Sequence, residues 1–303
     1  MSGRVLTFAL AAMFAAPAAL ADTAAVQRTW LERVAISAAD KSCNLFSEGE
    51  RLALQSGIYQ AEGELLRANK TAAEMEKLAA EVSSHARSLG CAHPSVVEVA
   101  ATIRSSYRQF AKTSYLEYPT ARSTWGASRS GHDKWAVSQT DKTTDVVLGL
   151  RRTKDAGVIR LAISMPAKGM EPSSVQLVLR DPSKMPEPWF GSIAGATKEL
   201  SAAPRSIARV EWAGEIRKGK DAVGDPIWVF FFSVDAINRL ESLDPREAVR
   251  LDFVPSQRAK DQKVKSISFE VGDFRAAHAF ALIPPPEYPA PQDAAAAAAP
   301  AAH

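Results

Sequence analysis

The sequence is poor in cysteine, with only Cys43 and Cys91 among 303 residues. No CxxC spacing is present, and the Cys91–His93 pair is too small a set for a typical zinc site, although it leaves a metal pair or a reactive thiol as alternatives. Two cysteines in an oxidising compartment favour one structural bridge. We therefore predict a Cys43–Cys91 disulfide and no metal or cofactor.

The sequence also lacks an excess of charge of either sign. It has 37 Lys and Arg against 34 Asp and Glu, which gives a formal net charge of +3. A nucleic-acid binder typically has a marked basic surplus, so this balance predicts no nucleic-acid partner. After residue 21, no apolar run approaches the roughly 20 residues of a membrane-spanning helix. We expect no stable membrane insertion of the mature chain.

Common catalytic motifs are missing too. HExxH, GxSxG, GxxxxGK[ST] and GxGxxG do not occur, and the string from Ser130 to Lys134 has one residue too many for SxxK. None of the five histidines has metal-ligand spacing, and only the adjacent His132 and Asp133 suggest an acid–base pair. A hidden carboxylate pair, as in glycosidases, stays open. These absences favour a protein that is not an enzyme.

What is present begins with an export signal at residues 1–21. Arg4 supplies the positive start, Val5 to Ala16 form a short uncharged apolar run, and Ala19 and Ala21 provide the small residues before a cleavage site. We expect cleavage after Ala21, and a periplasmic or secreted location follows.

Residues 22–118 predict a helical domain, because apolar residues recur at helical spacing four times. The clearest stripe consists of Val96, Val99, Ile103, Tyr107 and Phe110. Capping-box patterns begin at Ser47, Thr71 and Ser95, each with Glu three residues later. The two cysteines flank the predicted second and third helices, so the disulfide would pin one end of a bundle.

The hydrophobic period changes further along the chain. Residues 119–133, broken by Pro119, Gly126 and Gly131, are predicted to be a linker. Alternating strands follow in residues 134–283, including one strand through Val210 and Ile216 and a central one at 227–232 (IWVFFF), covered on both faces. Residues 273–282 favour a helix.

These patterns predict an α+β fold, in which an N-terminal helical bundle with one disulfide precedes a mainly antiparallel β-sandwich or partly open barrel. Residues 284–303, rich in Pro and Ala, predict a disordered tail because they cannot bury a core.

The candidate binding residues are Trp189 and Phe190, at the end of a loop stiffened by three prolines. Rigid loops and Trp side chains are favoured at binding sites. The alternative is that both rings fold back over the sheet. Two basic clusters, at 151–154 and 217–220, are solvated strand ends or contacts for anionic envelope polymers.

Trp135-Ala136-Val137, the strands after it and the closing segment FEVGDFRAAHAFAL (269–282) resemble the invasion-associated locus B family. The resemblance implies a β-rich, exported bacterial domain with a non-enzymatic envelope role. That family usually has cysteines in this domain, whereas here there are none, and no functional residue is transferred.

Together these observations predict a soluble periplasmic protein that binds an envelope component, protein or polymer, without catalysis. Two alternatives remain at the level of sequence. One is an envelope hydrolase that uses an unrecognised carboxylate pair, and the other is a structural assembly scaffold.

Overall fold

The computed structural model describes residues 22–129, 135–153, 158–168, 172–190, 201–221, 223–256 and 263–284. The predicted signal peptide and nearly all of the predicted tail lie outside these residues. Within them, four helices are followed by two antiparallel sheets of seven and four strands, which confirms the predicted α+β class. In the same part of the chain, no helix has both the length and the apolar character needed to cross a membrane.

The N-terminal part consists of α1 (Thr23–Cys43), α2 (Glu48–Arg67), α3 (Ala72–Leu89) and α4 (Pro94–Phe110). Capping boxes start α2 at Ser47 and α3 at Thr71, as predicted. The third predicted box is wrong, because the cap of α4 is His93, two residues before Ser95, with Pro94 as the first helical residue, and the His93 side chain accepts the amide of Ser95. Proline suits that position, since its missing N–H has no helical acceptor there.

A shared apolar cluster holds the four helices together, with Trp30 of α1, Leu65 of α2, Met75 of α3 and Ala100 of α4 among its buried members. The predicted disulfide is present and joins Cys43, the last residue of α1, to Cys91 in the turn after α3. It therefore ties the α1–α3 pair at one end.

The rest of the described residues contain eleven strands and two short helices. The strands are β1 (Tyr115–Pro119), β2 (Thr124–Ser128), β3 (Trp135–Asp141), β4 (Val146–Arg152), β5 (Ile159–Pro166), β6 (Pro172–Arg180), β7 (Ala208–Trp212), β8 (Glu215–Lys220), β9 (Pro226–Phe231), β10 (Ala248–Pro255) and β11 (Lys265–Glu270). The helices are α5 (Asp235–Glu241) and α6 (Phe274–Leu282). Sheet A has the order β1-β2-β3-β4-β5-β9-β8, and sheet B has the order β11-β10-β6-β7.

The predicted linker differs from the structure. β2 and the end of β1 lie within residues 119–129 and pair with each other, so the chain enters sheet A directly after the last helix of the bundle. The sequence pattern does not indicate these short strands, because Pro119 and Gly126 interrupt their alternation of apolar and polar residues. Residues 130–134 of that segment lie outside the described part.

The single strand predicted through Val210 and Ile216 is in fact two. Between them the chain crosses from sheet B to sheet A, because the amide of Ala213 donates to Val175 of sheet B and the amide of Gly214 donates to Phe231 of sheet A. Hydrophobic period cannot show this crossing, since both strands alternate in the same way.

The two sheets share one core. Phe230 of sheet A and Phe253 of sheet B are fully buried in the same apolar cluster, which also contains Trp125, Phe274 and Phe280. We call the side of sheet A that carries Phe230 its core face. Helix α6 packs there against β1, β2 and β3, while its other side contacts α2.

The contact between α2 and α6 joins the helical and β parts through polar groups. Arg67 of α2 donates two hydrogen bonds, of 2.7 and 2.9 Å, to the buried Asp273 just before α6. Ser56 donates to the carbonyl of Ala276 at 2.9 Å and lies 2.8 Å from the Tyr118 hydroxyl. Burial raises the pKa of Asp273 and of Tyr118 above their ordinary values.

Candidate functional site

The predicted binding loop is held against sheet B by a buried ion pair. Arg180 of β6 makes two hydrogen bonds to Glu247, of 2.7 and 2.8 Å, and donates to the carbonyl of Met185 in the loop at 2.7 Å. Both charged side chains are at most 4% exposed. A buried ion pair with further hydrogen bonds fixes geometry, because breaking either partner leaves an uncompensated charge.

The two aromatic rings of the loop have different surroundings. Trp189 packs on a cluster of Val178 and Ala208 of sheet B and Ala203 of the loop before β7, and its backbone amide donates to Glu247 at 3.3 Å. Phe190 is 50% exposed, with the Arg246 guanidinium 4.6 Å from its ring centre. The ring of Trp189 thus lies over the sheet, and only Phe190 offers a broad surface to solvent.

In each of the two basic clusters identified from the sequence, strand pleating places neighbouring side chains on opposite faces of sheet A. Arg151 of β4 and Arg217 of β8 point to the outer face of sheet A, opposite the core face. Arg152 instead donates to the carbonyls of Ser128 and Ala281, the latter at 2.5 Å, and Lys218 lies 4.7 Å over Trp228. Only one arginine of each cluster therefore contributes to the outer face.

A row of small residues crosses that outer face. Paired residues in register run from Gly126 through Ser138, Gly149 and Ala162 to Phe231. A side chain at Gly149 would collide with the carbonyl of Val137, which explains the glycine. Because the side chains of this row are small, there is room on the outer face for the ring of Trp135, which packs against the cluster of Ala162, Val229 and Phe231.

Arginine side chains surround these aromatic rings. Arg160 and Arg217 lie 4.7 and 5.2 Å from the ring centre of Phe231, and Arg151 lies 5.9 Å from that of Trp135. We name Trp135, Arg151, Arg160, Arg217 and Phe231 the arginine–aromatic face. They come from five strands and converge only in the folded chain.

The charge on the arginine–aromatic face is only partly neutralised. Glu215 accepts from Arg160 at 2.5 Å and from Arg217, and these hydrogen bonds lower the pKa of its carboxyl. Arg151 stands directly opposite Arg160 in the strand register, an arrangement that destabilises a sheet. Burial, and then the charge of Arg217, lower the pKa of Arg151. The face therefore carries surplus positive charge at a cost in stability.

The buried acids have structural partners. Asp40, Glu247, Asp252 and Asp273 are each paired with an arginine. Glu270 accepts from the Ser123 amide and from hydroxyls of the β1–β2 turn. The Nδ1 atom of His278 lies 2.7 Å from Glu241. Among the described residues, no group of three or more His, Cys, Asp or Glu is placed to bind a metal ion.

Sequence reasoning missed Trp135, Arg160, Phe231 and Glu215 as site residues. The alternation within β5 already places Arg160 opposite the core positions, but the uniformly apolar β9 does not show which face Phe231 takes. Alternation also does not reveal that β5 lies beside β9, where Ala162 pairs with Phe231, 69 residues further along the chain, because pairing partners are set by the tertiary fold.

Comparison of the chain with protein-family models, with curated protein sequences and with solved structures finds no match.

Proposed function

We propose that this chain is an exported, non-catalytic protein whose arginine–aromatic face binds an anionic polymer of the bacterial envelope. The location follows from the predicted signal peptide at residues 1–21 and from the resemblance to the invasion-associated locus B family. The binding role rests on the outer face of sheet A.

One observation carries the proposal: Arg151 faces Arg160 across the strand register and has no carboxylate partner among the described residues. A structural role would place an acid there, as Glu215 is placed beside Arg160 and Arg217. Like charges held together oppose folding, and an anion bound between them relieves the repulsion. The arrangement thus favours a negatively charged ligand.

The chemistry of arginine narrows the ligand class. The planar guanidinium donates paired hydrogen bonds to carboxylates and phosphates, and stacking on an aromatic ring keeps it oriented. Phe231 and Trp135 hold three guanidinium groups in this way. Repeated acidic groups on a polymer would meet several of them at once, and we take the carboxylates of peptidoglycan as the test case.

The test is co-sedimentation of the mature protein with purified peptidoglycan. Arg151→Gln/Arg217→Gln should weaken binding by at least about tenfold, since hydrogen bonds to charged groups contribute most strongly. Arg160 remains to pair with Glu215 in this variant. Binding by the parent protein should also fall as salt is raised, because the surface charges become screened.

The matched control is Arg87→Gln/Arg108→Gln, which removes the same charge from two exposed positions on α3 and α4. Control binding should equal that of the parent. If both double variants bound peptidoglycan equally weakly, the loss would reflect net charge alone, and the arginine–aromatic face would be rejected as the binding site. A thermal melt adds a second readout, because Arg151→Gln should not lower the melting temperature if the arginine is kept for binding.

A further inference from the structure

The side of sheet B that points away from the shared core carries a straight row of polar and aromatic residues. Asp252 lies between Leu251 and Phe253 in β10, and because those two side chains enter the core, its own points outward. Residues opposite one another in the strand register share one side of a sheet. The outward row therefore crosses four strands and spans about 14 Å, and its members are Trp212, Gln176, Asp252 and Ser266.

Trp212 presents an open aromatic ring at one end of this row. It is 55% exposed, and among the described residues no charged or aromatic side chain stacks on its ring. Trp135 and Trp228 differ, since Arg151 and Lys218 lie over their rings. A single exposed aromatic residue is common on protein surfaces, so the neighbours of Trp212 decide what its ring can bind.

Gln176, directly opposite Trp212, has a donor without an acceptor. Its Oε1 atom accepts from Arg205 at 2.9 Å, which fixes the Nε2 group as the donating end. In the described part of the chain no acceptor contacts Nε2, although Gln176 is only 7% exposed, and this atom is not sealed from the surface. Buried amide donors nearly always have a partner, so a ligand acceptor fits beside the open ring.

Positive charge exceeds negative charge around the row. Arg205 and Arg250 donate to Asp252 at 2.9 and 2.8 Å, so two guanidinium groups share one carboxylate. The Asp252 side chain is buried, whereas that of Arg205 is 59% exposed. Arg205 uses only its Nη2 group in its contacts with Gln176 and Asp252. Its other N–H groups can therefore donate to an anion.

We propose that this side of sheet B binds an acidic sugar, a pyranose ring that carries a carboxylate. The C–H face of the sugar stacks on Trp212, a hydroxyl oxygen accepts from Gln176, and the carboxylate accepts from Arg205. Because Trp212 and Arg205 both adjoin Gln176, one sugar unit meets all three. A fatty acid lacks the hydroxyl acceptor, and a small carboxylate lacks the flat apolar face. This site does not depend on the function proposed for sheet A.

The probe is β-1,4-linked triglucuronate, and cellotriose is its neutral counterpart, with an alcohol in place of each carboxylate. The full mature chain carries Arg151→Gln/Arg217→Gln, so that the arginine–aromatic face does not take up the probe. Calorimetry should show triglucuronate binding at least about tenfold tighter than cellotriose, because hydrogen bonds to charged groups are the stronger ones. In spectra of ¹⁵N-labelled protein, the Trp212 indole and Gln176 amide resonances should shift on binding.

Further substitutions in the same background locate the site. Trp212→Ala should weaken triglucuronate binding at least about tenfold without changing the melting temperature, since the ring is exposed. Arg205→Gln should remove the preference for triglucuronate over cellotriose. Tyr115→Ala, which removes an exposed ring from the edge strand β1, and Arg87→Gln are the controls and should bind as the background does. No binding of triglucuronate at millimolar concentration, equal affinity in Trp212→Ala, or equal binding of the two trimers would overturn the proposal.

Discussion

At the scale of single residues, arginine is the side chain that organises the polar interior. Arg67, Arg180 and Arg250 each make two hydrogen bonds to a buried acid. The fork of N–H groups matches a carboxylate, so each arginine donates to both oxygens of its partner acid at once. Arg151 is the contrast, because it faces another arginine instead of an acid.

Trp189 and Phe190 give a residue-scale prediction. Trp189→Ala should lower the free energy of unfolding by about 2–3 kcal/mol, somewhat less than for a fully buried ring, because it uncovers Val178 and Ala208. Phe190→Ala, which removes a half-exposed ring, should cost less than about 1 kcal/mol. Urea unfolding of both variants measures the difference. A stable Trp189→Ala variant that has lost an envelope partner would instead support the loop as a contact.

Asp40 gives a prediction about pH. Burial alone would raise its pKa, but hydrogen bonds from Arg51 and from the amide of Phe46 outweigh burial and hold the pKa below the ordinary value. The folded protein then binds fewer protons than the unfolded chain in acid, so this contribution to stability is present above about pH 4 and is lost as pH falls through the lowered pKa.

Asp40→Asn should therefore destabilise the protein at pH 7, and the difference from the parent should shrink at about pH 3. Denaturant titrations at both pH values provide the check. Glu76→Gln, at an exposed position on α3, is the control and should show a small, nearly constant difference. A difference for Asp40→Asn that grows in acid would contradict the assignment.

At the scale of elements, α2 and α3 begin at residues whose side chains cap the helix. Ser47 and Thr71 form reciprocal capping boxes with Glu50 and Glu74, which satisfy amides that have no partner within the helix. The disulfide then adds a constraint between α1 and the turn after α3 that no local signal supplies.

Replacing Cys43 and Cys91 by Ser should lower the free energy of unfolding by about 2–4 kcal/mol, because the unfolded chain regains the freedom of a loop closed over 48 residues. Thermal melts with and without reductant provide the measurement, and the double variant should not respond to reductant. Two free thiols in the purified, unreduced parent protein would refute the bridge in solution.

At the scale of the whole molecule, the α2–α6 interface argues against independent halves. Arg67 and Asp273, Ser56 and Tyr118 connect the bundle to the sandwich through buried groups. Gly63 of α2 approaches the Asp273 carboxylate so closely that an added side chain would collide with it. The two folding units expected from the change in hydrophobic period thus share a close-fitting boundary.

We expect one cooperative thermal transition, with equal calorimetric and van't Hoff enthalpies. Arg67→Ala should lower its midpoint strongly or split it, because Asp273 would be left buried without its partner. Arg87→Ala, on the exposed side of α3, is the control. Two transitions in the parent protein, or rapid proteolysis within β1 or β2, would show that the helical and β parts are separate folding units.

The sequence alone determined the elements that depend on neighbours along the chain. Helical spacing and capping pairs placed α1 to α3, and alternation placed strands such as β4 and β10. Cysteine count and compartment identified the disulfide. These features depend on residues two to four apart, or on chemistry that has only one pairing available.

Only the tertiary structure decided which distant segments meet. Whether β5 pairs with β9, where the chain crosses between sheets at Ala213, and how Arg151 comes to face Arg160 all depend on strand order and register. Many registers satisfy the same alternation, and they differ in the packing of the complete core. The arginine–aromatic face arises from such long-range packing, so local patterns cannot reveal it.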